Sequence, residues 1–103
     1  MELYTASAMR RQRLQHGLYA ITGGLRSTQG ILLAVGAAIK GGAILIQYRD
    51  KVTPFAHRKG RAAALCQLCR HLNVPLIIND DPNLARDVGA DGVHLGQDDP
   101  SYE

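Results

Sequence analysis

Tryptophan is absent from this 103-residue chain, phenylalanine occurs once, and all aromatic residues together make up 5%. A protein that grips single-stranded nucleic acid by stacking bases on aromatic rings needs more of them. Cysteine is nearly as scarce, with Cys66 and Cys69 alone. That excludes a disulfide-stapled secreted domain and points to a reducing compartment. No apolar run approaches the roughly 18 residues of a membrane-spanning helix. Residues 1–16 lack the apolar stretch of a secretory signal. Their arginine-rich, acid-poor character is shared with transit peptides, but a cytoplasmic location is the expectation.

What is present is ordinary for a folded chain. Hydrophobic residues make up 46% and charged residues 20%, a balance that excludes a disordered protein. The length allows one domain at most. The formal charge is +3, with basic residues grouped at Arg10, Arg11 and Arg13 and again at Arg58, Lys59 and Arg61. Such grouping suits a phosphorylated substrate, nucleic acid or an anionic membrane. The plainer reading is solvated surface.

Four short apolar runs punctuate the chain, at Leu18–Thr22, Ala43–Gln47, Leu76–Asn79 and Gly92–Leu95. The middle two are continuous rather than alternating, as in strands covered on both faces. Helical patterns separate them. Ser27 or Thr28 caps the first helix, Ile31, Val35 and Ile39 recur along one face with Leu32 beside them, and Gly41-Gly42 ends it. The second opens with Thr53 as cap and Pro54 in the first turn, and buries Leu65, Leu68, Cys69 and Leu72. Asp81 caps the third, Pro82 begins it, Leu84 and Val88 face inward, and Gly89 ends it. The rhythm predicts an α/β fold of parallel strands with right-handed crossovers. Residues 1–17 form a basic segment ahead of it, with an extra helix expected over Met1–His16.

In βα proteins ligands bind beyond the carboxyl ends of the strands. The second run ends Gln47-Tyr48-Arg49-Asp50-Lys51, the third Asn79-Asp80-Asp81, and the fourth His94-Leu95-Gly96-Gln97-Asp98-Asp99. Strand alternation sends Gln47, Arg49 and Lys51 to one side, and Ile44, Ile46 and Tyr48 toward the helices. That leaves Ala43 and Leu45 on the side away from the helices. Arg49 and Lys51 can hold phosphoryl oxygens, one through a fork and one as a point charge. Asp80 and Asp99 can hold Mg²⁺, which takes one or two carboxylates together with substrate phosphates. Gln47 and Asn79 can orient a substrate through neutral hydrogen bonds. The competing reading makes Asp81 only a cap and the rest surface ion pairs. Three strand ends of the same character favour a metal–diphosphate site.

Other candidates carry less. Cys66 and Cys69 form C-x-x-C within a helix, with no second pair for zinc, and read as buried structural thiols. Gly23-Gly24 reads equally as an anion-binding turn or a plain one. His94 reads as a core histidine, with a rim ligand as the alternative.

The stretches Leu18-Tyr19-Ala20-Ile21-Thr22, Gln47-Tyr48-Arg49-Asp50-Lys51, Ile78-Asn79-Asp80-Asp81 and Gly89 through Asp99 resemble the N-terminal half of thiamine phosphate synthase, also called thiamine-phosphate pyrophosphorylase. The resemblance covers about Leu18 to Asp99. It implies a TIM-type (β/α)₈ barrel of which this chain supplies about half. It implies condensation of hydroxymethylpyrimidine diphosphate with a thiazole phosphate, giving thiamine phosphate and diphosphate. It assigns Gln47, Arg49, Lys51 and Asn79 to the pyrimidine diphosphate, and Asp80 and Asp99 to Mg²⁺. Arg49 and Lys51 are also the catalytic pair, neutralising the diphosphate as it leaves. The related thiazole tautomerase shares the fold without the full diphosphate-binding set, so retention of these residues favours the synthase.

A whole barrel needs about 200 residues. The remaining alternatives are a non-catalytic half-barrel that binds or assembles, and a small basic nucleic-acid binder. Neither nucleic acid nor membrane is the expected partner. An open half-sheet leaves edges at its first and last strands and exposes Ala43 and Leu45 to water. The expectation is therefore self-association or pairing with a C-terminal half, and little or no turnover by this chain alone.

Overall fold

The computed structural model describes residues 2–5, 18–22 and 27–95. The elements run β1 (Glu2–Thr5), β2 (Leu18–Thr22), α1 (Thr28–Lys40), β3 (Ala43–Tyr48), α2 (Phe55–His71), β4 (Leu76–Asn79), α3 (Pro82–Val88) and β5 (Gly92–His94). They form one sheet in the order β1-β2-β3-β4-β5, and the last four strands are mutually parallel. The fold is α/β. Ile31 and Val35 of α1, Ala62, Leu65, Cys66 and Cys69 of α2, and Leu84 and Ala85 of α3 share one core with Ala20, Ile46, Tyr48, Leu76 and Ile78 of the sheet. All three helices therefore cover the same face.

Local chemistry sets the helix ends. The Ser27 hydroxyl accepts from the Gly30 amide at 3.0 Å and starts α1. Gly42 follows that helix at φ +115°, a conformation open to glycine and strained for other residues. Asp81 caps α3 by accepting from the Leu84 amide at 3.0 Å, Pro82 begins it, and Gly89 closes it in the left-handed region. Asp81→Ala is expected to cost about 1 kcal/mol, the usual worth of such a cap. A shift in the urea midpoint measures it, and an unchanged midpoint would deny the cap its role.

Four sequence expectations are corrected. Glu2–Thr5, within the segment where a helix is expected, is a strand paired antiparallel with β2. The unpaired amides and carbonyls of the β2 edge draw an extended partner, whereas a short isolated helix is marginal in water. The rest of residues 1–17 lies outside the described residues. Pro54, not Thr53, stands at the α2 N-cap, because the Thr53 amide and hydroxyl both bond to Asp50. Leu72 leaves the buried stripe of α2 and forms its partly exposed C-cap.

The fourth concerns Ala43 and Ile44, which exchange sides. The β2–β3 register passes from Leu18–Ala43 to Tyr19–Leu45, leaving Ile44 as an extra residue. A bulge of this kind interrupts the pleat. Ala43 joins the helix-side core, and Ile44 packs with Tyr19, Leu45 and Ile77 on the other face. Ala43 and Leu45, which the half-sheet argument exposes to water, are each 4% exposed.

Both cysteine thiols are free and buried. Burial, with Cys66 and Asp91 adding to it, pushes the Cys69 thiol up to about 11. A group that resists ionisation this strongly is a packing residue rather than a nucleophile.

Candidate functional site

The parallel register brings the ends of β3, β4 and β5 to one rim. Gln47 pairs with Ile77, Tyr48 with Ile78, and Asn79 with His94. Just beyond Tyr48, the Arg49 amide donates to the Thr22 carbonyl at 2.8 Å, tying the exit of β3 to the end of β2. Beyond Asn79, the Asp80 amide donates to the His94 carbonyl at 2.7 Å.

Three of the residues read from the sequence meet here. Lys51 Nζ lies 3.3 Å from Asp80 Oδ2, and Asn79 Nδ2 donates to the same oxygen at 3.0 Å. Lys51, Asn79 and Asp80 line a cavity of about 380 Å³ together with Asp50, Arg58 and Asp81. Asp80 holds φ +63°, a left-handed conformation that Asp tolerates better than most residues and that often marks functional sites. The Lys51–Asp80 pair is 62% exposed on its lysine side, so the contact itself adds little stability.

The other site candidates divide. Gln47 is buried, and Arg49 is exposed at the end of the same strand; neither lines the cavity. Asp99 and the Gly23-Gly24 pair lie outside the described residues. His94 is half-buried and meets the rim through its backbone carbonyl. A larger cavity of about 530 Å³ opens near Thr28, Thr53, His57 and Arg61, and no residue of the rim cluster lines it.

Two residues escape the sequence reading. Asp50, 7% exposed, accepts from the Tyr48 hydroxyl at one oxygen and from the Val52 and Thr53 amides at the other, at 3.1 and 2.9 Å. Arg58 donates to the Asp50 carbonyl at 3.4 Å and stacks over Phe55 at 5.6 Å. The signal for Asp50 was available in the Asp-Lys-Val-Thr spacing, the signature of a side chain that folds back on the following amides. Arg58 is reached only through the tertiary fold.

Burial alone would raise the Asp50 carboxyl. The Thr53 hydroxyl, Tyr48, and the Thr53 and Val52 amides outweigh it and hold the group down at about 2. Burial and the bond to Asp50 push the Tyr48 hydroxyl upward, so it remains the donor. A carboxyl depressed on folding stabilises the protein above its unfolded value near 3.8, and that contribution fades as pH falls toward 2. The loss is expected to be about 2 kcal/mol. Urea midpoints between pH 5 and pH 2 measure it. Asp50→Asn should flatten that part of the profile, and an identical acid slope in the variant would deny the assignment.

Mg²⁺ favours oxygen ligands and often takes only one or two carboxylates, completing its shell with water and phosphate. Asp80 offers one such carboxylate at the cavity. Asp50 and Asp81 in the same lining are committed to backbone amides. No group of three or more His, Cys, Asp or Glu is gathered among the described residues. The donor set therefore fits a metal shared with a phosphorylated ligand and does not fit an all-protein metal cage.

A family model described as thiamine monophosphate synthase matches residues 18–103. The thiamine-phosphate synthase of Marinobacter nauticus is 51% identical over 92 residues, which are 88% of this chain and 41% of that protein. The corresponding protein of Alcanivorax borkumensis is 53% identical over 85 residues, 82% of this chain and 39% of its own length. Among solved structures, the thiamine phosphate pyrophosphorylase of Pyrococcus furiosus superposes with a TM-score of 0.64 at 30% identity, covering 79% of this chain and 39% of that one. The chain thus spans about 40% of the length of the curated relatives it matches. With the parallel sheet and the Lys51–Asn79–Asp80 rim in view, these matches establish that the chain belongs to the thiamine monophosphate synthase family.

Proposed function

We propose that this chain carries the pyrimidine-diphosphate and metal side of a thiamine phosphate synthase active site. In this reading β2 to β5 are the first half of a (β/α)₈ barrel in a cytoplasmic enzyme. The other half, or a second copy, covers the remaining strand edge, and only the other half completes the thiazole-phosphate site. The observation that carries the reading is the meeting of Lys51, Asn79 and Asp80 at the ends of adjacent parallel strands, in a chain of this family.

Gln47 and Asn79 orient the pyrimidine end of the substrate through neutral hydrogen bonds. Arg49 and Lys51 hold the diphosphate. When the carbon–oxygen bond breaks, its electron pair leaves with the diphosphate, and both cations face the growing negative charge. Contacts that strengthen as charge develops lower the barrier, not only the dissociation constant. The pyrimidine ring stabilises the electron-poor methylene carbon, and the thiazole nitrogen attacks it. No side chain need remove a proton in that step. Asp80 and Asp99 would hold Mg²⁺, which when bound supplies further neutralisation of the diphosphate.

The test is formation of thiamine phosphate from both substrates by protein of the full family length bearing this chain. Turnover should require Mg²⁺. Arg49→Ala should raise the KM for the diphosphate substrate and lower kcat together. Unaltered kinetics in that variant, or turnover indifferent to chelator, would contradict the reading.

A further inference from the structure

We infer that Asp50 is the positioning residue of this rim, acting through the two cations that flank it in the chain. The inference deepens the reading above and rests on it. Arg49 and Lys51 are exposed side chains at the start of a loop, and long cations on a loose loop would be poorly placed to meet a diphosphate together. The loop is not loose. On one side the Arg49 amide is fixed to the Thr22 carbonyl at 2.8 Å. On the other, the Asp50 carboxylate folds forward to take the Val52 and Thr53 amides. Its second oxygen is anchored by the Tyr48 hydroxyl, from a ring 2% exposed in the core. Arg58 reaches back from α2 to the Asp50 carbonyl.

Lys51 therefore sits inside a short span whose two ends are both tied, one to the sheet and one to a buried carboxylate. Asp50 does not serve as a diphosphate contact itself. Its two oxygens already receive four donors, the Tyr48 and Thr53 hydroxyls and the Val52 and Thr53 amides, and its charge would repel the ligand. Its effect on the ligand has to pass through Lys51 and Arg49, which distinguishes it from a residue that merely supports the fold.

The experiment is calorimetric titration of the protein with inorganic diphosphate in the presence of Mg²⁺, with melting curves run in parallel. Asp50→Ala should weaken binding about tenfold, the scale of one to two lost hydrogen bonds. Asp50→Asn should stay within about threefold of wild type, because its oxygen still accepts from the two amides while its nitrogen donates to Tyr48. In a Lys51→Ala background the same Asp50→Ala change should cost under about threefold, since residues acting through one another are not additive. If the alanine variant does not fold, Asp50→Ser takes its place, with a hydroxyl too short to span both amides. Wild-type affinity in a folded Asp50→Ala protein would overturn the inference. So would an equal penalty with and without Lys51, which is the mark of a purely structural residue. A wild-type protein that fails to bind diphosphate would overturn the site reading and this inference with it.

Discussion

Asp80→Ala is expected to lower the turnover number by about 10²–10³-fold, the usual effect of losing one pre-set group facing charge in a transition state. The carboxylate receives Lys51 and Asn79 at the same oxygen and is the cavity's candidate metal ligand. Its loss removes both the oxygen donor and the partner that holds the lysine in place. Alanine at φ +63° is also strained by about 1–2 kcal/mol, so the alanine variant combines a backbone effect with the loss of the carboxylate. Asp80→Asn separates the two contributions. Asparagine accepts the left-handed conformation and keeps an oxygen for Lys51, but it lacks the charge that binds Mg²⁺. Its melting temperature should match wild type while turnover and Mg²⁺ affinity both fall. Full activity in the asparagine variant would remove Asp80 from the site.

Ile46→Ala should destabilise the fold by about 2–5 kcal/mol. Ile46 is fully buried at the centre of β3, between β2 and β4, and belongs to the core shared with all three helices. Truncation removes three carbons and leaves a cavity that the flanking strands cannot easily close. Against a total stability of roughly 5–15 kcal/mol for a domain, the variant should unfold at much lower urea. Ile46→Val should cost about 0.5–1.5 kcal/mol. A loss below 1 kcal/mol for alanine would mean that this face is less tightly packed than the burial indicates.

The features that sequence reading recovered are those fixed by neighbours in the chain. Ser27 and Asp81 act on amides three residues ahead, and Gly89 ends a helix by its own backbone freedom. The strands β3 and β4 announce themselves as continuous apolar runs because both their faces are largely covered. What escaped depends on distant partners. The strand at Glu2–Thr5 exists through its pairing with β2, and the bulge at Ile44 through the β2–β3 register. Pro54 becomes a cap because Asp50 has already taken Thr53. The same holds at the rim, where the chain order lists Lys51 and Asp80 29 positions apart and only the parallel β3–β4 pairing joins them.

The Gly89-Ala90-Asp91 stretch, part of the sequence signature, turns out to be scaffold. The Asp91 carboxylate accepts from the Leu76 amide at 2.8 Å, and the Asp91 amide returns a bond to the Leu76 carbonyl at 2.9 Å. Ala90 packs against the core. These residues fix where β4 begins and so where Asn79 and Asp80 end up. Part of a family signature can be specific because it builds the site's frame rather than because it touches the ligand.

The most direct test of the rim assignment is a crystal structure of the protein with Mg²⁺ and hydroxymethylpyrimidine diphosphate. The expected result is a metal about 2.1 Å from an Asp80 oxygen, or one water further out, with diphosphate oxygens within hydrogen-bond reach of Arg49 and Lys51. A diphosphate bound elsewhere, with Lys51 still paired to Asp80 and no metal between the two, would contradict the assignment.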